Sequence, residues 1–171
     1  MQMVKRFFVG LLFVWGVLLL FMPKEEMYFR LEQELAKEGI EINEASTEES
    51  IFHFNLHDVS IYTKGIKVAH IDEVEFLTLL AYTRITVHGL DVDEGLKSML
   101  PERIENLFLT YSMIAPLTVY IESKGSFGIA KGVLSLKERV LHMDFEKTKH
   151  MGAIQRYLKQ GKKGWYYETT F

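Results

Sequence analysis

The sequence predicts a mainly β protein of the α+β class, in which an amino-terminal transmembrane helix precedes a single antiparallel β-meander domain. We expect this domain to be curved or sandwich-like, with a few peripheral helices. Two features predict the class: residues 7–22 carry no charge and are almost wholly apolar, and from Ile40 onwards apolar and polar residues alternate between turn-forming segments. The predicted boundaries are residues 1–23 for the membrane anchor and residues 24–171 for one β-rich domain with a single core.

The apolar run lies between Lys5 and Arg6 on one side and Lys24 on the other. As a helix it rises about 24 Å, less than the ~30 Å hydrocarbon core, but basic side chains at both ends can snorkel to the interface. We therefore expect an anchor that crosses the membrane once. The residues that represent this anchor are Phe7, Leu11, Trp15, Leu19 and Met22.

A cleaved secretory signal is the alternative for the same run. Cleavage requires small residues just before the cut, and the first Ala of the chain is Ala36. An uncleaved anchor is therefore favoured. Lys5 and Arg6 directly precede the run, whereas acidic residues surround Lys24 and Arg30 on the other flank, which places the amino terminus in the cytoplasm. In a bacterium, this makes a single-pass inner-membrane protein with a periplasmic carboxy-terminal domain.

A helix is expected next, over residues 24–39, because Met27, Leu31 and Leu35 recur every four residues and Gly39 suits a left-handed cap. Residues 41–42 are expected to form a short strand and residues 43–50 a polar loop. Alternation then runs from Phe52 to Ile61 with a slip near Asp58, which indicates a bulge.

Further strands are expected at residues 66–71, 74–81, 85–92, 104–112, 117–123, 127–136 and 140–145, with a hairpin turn at Lys64 and Gly65 and another turn at Tyr82 and Thr83. Residues 93–100, capped by Asp93, and residues 148–159 are expected to be short helices. The chain then ends in the aromatic run Trp165, Tyr166 and Tyr167.

Two of these strands are apolar on both faces, which a sheet with one wet face does not require. Either helices cover the second face, or the sheet folds over itself, or the second face holds an apolar ligand. The residues that we take as candidates for contact with lipid or a protein partner are Phe76, Leu77, Leu79, Leu80, Leu107, Phe108 and Leu109.

Several kinds of chemistry are disfavoured. A net charge of -3 gives no general case for nucleic-acid binding, and the absence of Cys excludes thiolate metal sites and a cysteine nucleophile. His53 and His57 share a strand face but lie about 13 Å apart, too far for one metal ion. Ser126, in the sequence GSFG, does not match the Gly-x-Ser-x-Gly nucleophile pattern. We predict no catalytic, cofactor-binding or metal-binding residue, no cofactor and no enzyme activity.

Four segments carry a family resemblance: DVSIYTKGIKVAHID at residues 58–72, PERIENL at 101–107, GSFG at 125–128 and GVLSL at 132–136. Together they resemble the periplasmic part of the type II secretion system protein N family and the related AsmA-like proteins. The resemblance implies a single amino-terminal anchor, a β-rich body and no catalytic motif.

The resemblance further implies a non-enzymatic component of envelope assembly or of a type II secretion-like machine, with the membrane and other envelope proteins as partners. The alternative, taken from the AsmA-like relatives, is a lipid-binding or lipid-transport module with an apolar groove in its sheet.

Overall fold

One antiparallel sheet contains every strand that the structure describes, so the predicted mainly β class is confirmed. The computed structural model describes residues 2–20, 24–79, 81–96, 103–146, 152–161 and 164–171. The helices are α1 (Gln2–Leu20) and α2 (Lys24–Lys37), and the strands are β1 (Ile40–Asn43), β2 (Ser46–Glu49), β3 (His53–Thr63), β4 (Ile66–Leu79), β5 (Tyr82–Val92), β6 (Arg103–Ser112), β7 (Thr118–Gly125), β8 (Gly128–Ser135), β9 (Val140–Glu146), β10 (Lys159–Gly161) and β11 (Gly164–Thr170). Glu94–Leu96 and Gly152–Tyr157 form short 3₁₀ segments.

The strand order is β1-β3-β4-β5-β6-β7-β8-β9-β11-β10, and β2 also pairs with β3. From β3 to β9 each strand pairs with the next along the chain, which is the predicted meander. β1 and β2 lie end to end along the outer edge of β3, where Ile42 is opposite Ile61 and Ser46 is opposite His57.

Helix α2 packs on the sheet through Tyr28. Its ring lies 5.6 Å from the ring of Phe54 in β3, and both side chains are buried. The predicted stripe is only partly correct, because Leu31 is exposed and Leu35 is half-buried. Gly39 has a φ of 77°, as expected of the residue that turns the chain after the helix.

Several predicted boundaries were wrong. The predicted polar loop contains β2, whose sequence STEE shows no apolar alternation because it lies at the sheet edge. The strands predicted at residues 66–71 and 74–81 are one strand, β4, and the turn predicted at Tyr82 and Thr83 is the start of β5. The aromatic ending lies in β11, which pairs with β9. Residues 97–100 and 148–151 of the predicted helices lie outside the described residues, and the described parts contain only the two short 3₁₀ segments, with Lys159 already in β10.

The slip in alternation predicted near Asp58 is present and extends over four strands, but the pairing of β3 with β4 shifts between Ile61 and Tyr62 instead of at Asp58. Asp58 has a φ of 51° and Gly89 a φ of 61°, the left-handed region. On each strand from β3 to β6 the inward apolar residues are three apart instead of two at this line: Leu56 and Val59, Ile71 and Val74, Val87 and Leu90, and Ile104 and Leu107. The left-handed residues reset the alternation, so that one side of the sheet stays apolar along its whole length.

We call this side the apolar face, defined by the buried residues Phe54, Leu56, Val59, Ile71, Val74 and Val87, and the other side the polar face. Together with Tyr28 these residues form the core beneath α2. The pairing register extends the apolar face across the later strands through Leu109, Ile121, Leu134, Leu141 and Met143. These later side chains are only half-buried, whereas Ser123 and Ala130 on the same face are buried, so this part of the apolar face is only partly covered.

Helix α1 exposes apolar side chains on all sides, including Phe7, Leu12 and Phe13. Within the described part of the chain, no helix has both the length and the apolar character needed to cross a membrane.

Candidate functional site

A cavity of about 390 Å³ lies at one end of the apolar face, between α2 and the strands β3 to β5. The residues that line it are Lys24, Tyr28, Leu31, Phe54, Phe76, Thr78 and Thr83. Aromatic and aliphatic side chains form its base, and Lys24 lies at the first residue of α2. Cavities of this size and character bind small apolar or amphiphilic molecules.

Tyr28 holds one wall of the cavity in place. Its hydroxyl donates a hydrogen bond of 2.8 Å to Oε2 of Glu44, in the connection between β1 and β2. Burial and this carboxylate raise the pKa of Tyr28 well above its ordinary value of 10.0, so the phenol is neutral at physiological pH. The side chain therefore joins α2 to the edge of the sheet.

Lys24, which lines the cavity, joins the start of α2 to the turn before β3. Its ammonium donates to the backbone carbonyl oxygens of Ser50 at 2.6 Å and Ile51 at 2.5 Å, in the turn before β3. An ammonium has three donors, and the described residues accept two of them, which leaves one N–H for a ligand or for water among these residues. The start of α2 is thus tied to this end of the sheet, with a positive charge in the lining of the cavity.

The structure divides the sequence-predicted candidates between the two faces. Phe76, Leu107 and Leu109 lie on the apolar face, and Phe76 lines the cavity. Leu77 and Phe108 lie on the polar face, and Leu79 is exposed at the end of β4. Leu80 lies outside the described residues.

Arg84 accounts for the apolar residues on the polar face. Its guanidinium carbon lies 5.8 Å from the centroid of the Phe108 ring and 5.8 Å from that of Tyr82. Arg84 is also directly opposite Leu77 in the pairing of β4 with β5. The charged side chain therefore covers these residues while keeping its charge in water, so no second helix layer is required there.

Four of the five predicted anchor residues lie on α1, and Phe7, Leu11 and Trp15 are exposed. Leu19 belongs to the same helix, and Met22 lies outside the described residues.

The polar face carries a charged cluster where the alternation resets. His70 Nε2 lies 3.9 Å from Asp58 and 3.8 Å from Asp72, and Arg103 lies 3.4 Å from Asp72 and 3.2 Å from Asp91. The His70 distances are too long for hydrogen bonds, and the partner side chains are largely exposed. Within the described residues no three His, Cys, Asp or Glu side chains are grouped as metal ligands. This cluster therefore has the character of a solvated surface network.

Sequence reasoning missed most of the cavity. Tyr28, Thr78 and Thr83 carry no motif, and their role depends on where α2 lies over the sheet. The available signal was Tyr28 itself, a bulky aromatic residue next to the predicted apolar stripe of α2.

Comparisons with protein-family models, with curated proteins and with solved structures found no match.

Proposed function

We propose that this chain is a non-enzymatic protein of the bacterial envelope, anchored in the inner membrane by residues 7–22, whose periplasmic β domain binds lipid acyl chains on its apolar face. The observation that carries the proposal is the apolar cavity beside the first residue of α2, close to the end of the proposed anchor.

Membrane anchoring is supported by the exposed side chains of α1. A helix that is apolar on every side is typical of an apolar environment, and each Leu, Ile, Phe or Val at the centre of a membrane helix contributes roughly -0.3 to -0.6 kcal/mol to insertion. The described residues alone do not make a complete span. The proposed anchor therefore includes residues 21 and 22, with Lys5, Arg6 and Lys24 reaching the two interfaces.

Lipid binding is supported by the chemistry of the cavity and by the face that continues from it. Phe54 and Phe76 offer apolar contact, while the third N–H of Lys24, which has no acceptor among the described residues, can donate to a phosphate oxygen. An amphiphile matches this arrangement, with its chain inside and its head group at Lys24. The half-buried residues of β7 to β9 extend the same apolar surface.

Two variants of α2 test this function. Leu31 lines the cavity and is exposed, so Leu31→Glu should place a charge at its edge without disturbing the core. Phe29 is a similarly exposed residue of the same helix that does not line the cavity, so Phe29→Glu is the control. The full chain is extracted from membranes in mild detergent, and its bound lipids are counted by mass spectrometry. Loss of lipid in Leu31→Glu alone supports the proposal, whereas equal lipid in both variants and the parent contradicts it.

A second candidate, a component of envelope assembly or of a secretion machine, is favoured by one edge of the sheet. β10 pairs with β11 only over Gly164–Tyr166, so in the described part of the chain Tyr167–Thr170 has no partner on that side. An open edge can accept a strand from another protein. Thr170→Pro should then abolish association with an envelope partner while leaving bound lipid unchanged, and unaltered association would count against this candidate.

A further inference from the structure

The turns at one end of the sheet form a continuous rim. We define the rim as residues 50–52, 81, 113–117, 136–139 and 171. Backbone hydrogen bonds join these turns in sequence across the sheet: Thr78 N donates to Phe52 O at 3.0 Å, Met113 N to Ala81 O at 2.9 Å, Leu136 N to Leu117 O at 2.8 Å, and Phe171 N to Arg139 O at 3.1 Å. These bonds keep the turns side by side at the same end of the sheet.

The rim exposes large apolar side chains at almost every turn. Ile114 is 92% exposed, the highest value among the exposed large apolar residues that the structure describes. Its turn is well defined, because the Ile114 amide donates to Ser112 Oγ at 3.3 Å and the Ala115 amide to Ser112 O at 3.1 Å. The exposed apolar residues of the rim include Phe52, Met113, Ile114, Leu117, Leu136 and Phe171.

The described turns at the opposite end of the sheet are mostly polar. Lys64 and Gly65 form the turn between β3 and β4, and Asp93 begins the segment after β5. Ile66, with an exposure of 69%, and Tyr157, with an exposure of 52% in the segment after β9, are exposed apolar residues away from the rim. Apolar side chains that turns expose to water lack the favourable free energy of burial. Because they are grouped at one end of the sheet, we expect a binding partner there.

We propose that the rim lies in the bilayer interface, with the Ile114 turn inserted among the lipids of the leaflet from which the anchor emerges; this inference rests on the proposed anchoring of α1. Leu20 and Lys24 are four residues apart, which limits the distance between the end of α1 and the start of α2 to about 14 Å. Lys24 in turn holds the Ser50 and Ile51 part of the rim. The apolar helix and the apolar turns are therefore neighbours.

The charges around the rim fit a lipid surface. Lys24, Lys137 and Arg139 can reach anionic head groups, while the acidic residues Glu25, Glu49 and Glu138 lie next to these basic residues or to the rim in the sequence. Insertion of the rim would place the cavity close to the level of the head groups, because Lys24 lines the cavity and donates to Ser50 and Ile51 of the rim. Lipid could then enter the apolar face directly from the membrane.

The absence of Cys from the chain permits a clean test by single spin labels. Ile114→Cys and Leu136→Cys report on the rim, and Ile66→Cys is a control at an exposed apolar residue of the opposite end. Each labelled full chain is reconstituted into vesicles of phosphatidylethanolamine and phosphatidylglycerol. Relaxation by dissolved oxygen, which concentrates in the bilayer, is compared with relaxation by a water-soluble nickel complex.

We expect labels at positions 114 and 136 to be reached several-fold better by oxygen than by nickel, and the label at position 66 to show the reverse. Equal access of nickel to positions 114 and 66, in a chain that resists alkaline carbonate extraction, would refute the rim and leave the anchor standing. Protection of position 114 from both reagents would refute the rim in favour of a protein contact. Release of the chain by carbonate would refute the anchor and the rim together. The lipid measurement on Leu31→Glu is separate from all of these outcomes.

Discussion

Removing the hydroxyl of Tyr28 should change stability in a way that depends on pH. At neutral pH, Tyr28→Phe loses the 2.8 Å hydrogen bond to Glu44 but keeps the ring against Phe54. Hydrogen bonds to charged groups contribute about 1.5–3 kcal/mol, and Glu44 is only half-buried, so we expect a loss of about 1–2 kcal/mol in the free energy of unfolding.

The difference in the free energy of unfolding between the parent and Tyr28→Phe should become smaller at alkaline pH. The folded-state pKa of Tyr28 is raised above its unfolded value of 10.0, so its contribution is fully present below that pH and is lost as the pH rises towards the folded-state pKa. The parent loses up to about 1.4 kcal/mol per pH unit in this range, a loss that Tyr28→Phe does not share. The two free energies of unfolding should therefore become equal at about pH 11.

Urea unfolding of the full chain in detergent, followed by circular dichroism of the sheet, measures both quantities. Tyr120 is exposed on the polar face, so Tyr120→Phe should stay within about 0.5 kcal/mol of the parent at both pH values. A difference between the parent and Tyr28→Phe that is the same at about pH 8 and about pH 11 would show that the phenol is solvated. The role given to Tyr28 in holding α2 would then be wrong.

Three further predictions concern the core, the histidines and the topology. Phe54→Ala should lower the free energy of unfolding by about 3–5 kcal/mol, because Phe54 is 3% exposed and contacts two aromatic rings. The control Phe52→Ala on the rim should lower it by less than about 1 kcal/mol. Equal losses in urea unfolding would place Phe54 outside the core. Replacing each histidine singly by Ala should leave the amount of bound lipid unchanged; the positions are His53, His57, His70, His88, His142 and His150. A folded variant that loses all its lipid would reveal a polar site. A reporter fused after Phe171 that works only outside the cytoplasm should be active, since the basic flank precedes the anchor; activity of a cytoplasmic reporter instead would reverse the topology.

The β class and most strands could be predicted because alternation is strong wherever one face of a strand is buried. The same rule explains the errors. β2 lies at an edge and carries a polar sequence, so no periodic signal marks it. β4 was divided in two because its inward residues Ile71 and Val74 are three apart, which breaks the alternation within an unbroken strand. Only the pairing of the four strands shows that the irregularity in β4 lies on one line with the left-handed residues Asp58 in β3 and Gly89 in β5.

The cavity could not be predicted from the sequence, because it depends on contacts between distant residues. Tyr28 and Glu44 are 16 residues apart, and Lys24 and Ser50 are 26 apart. Local patterns favoured Leu31 as the residue that packs on the sheet, whereas the structure buries Tyr28 and leaves Leu31 at the cavity edge. The sequence shows that two strands are apolar on both faces. That Arg84 covers Leu77 and Phe108 becomes visible only from the pairing of β5 with β4 and β6.

Photo-crosslinking from Thr83 tests lipid binding most directly. Thr83 lines the cavity, and Thr110, also half-buried, lies one register position away on the polar face opposite Arg84. A photoreactive residue is placed at each position in turn, the full chain is purified from membranes and irradiated, and adducts are identified by mass spectrometry. Lipid adducts from position 83 with few or none from position 110 are expected. Equal capture at both positions, or no capture at position 83 in a folded protein, would contradict the binding of acyl chains by the apolar face.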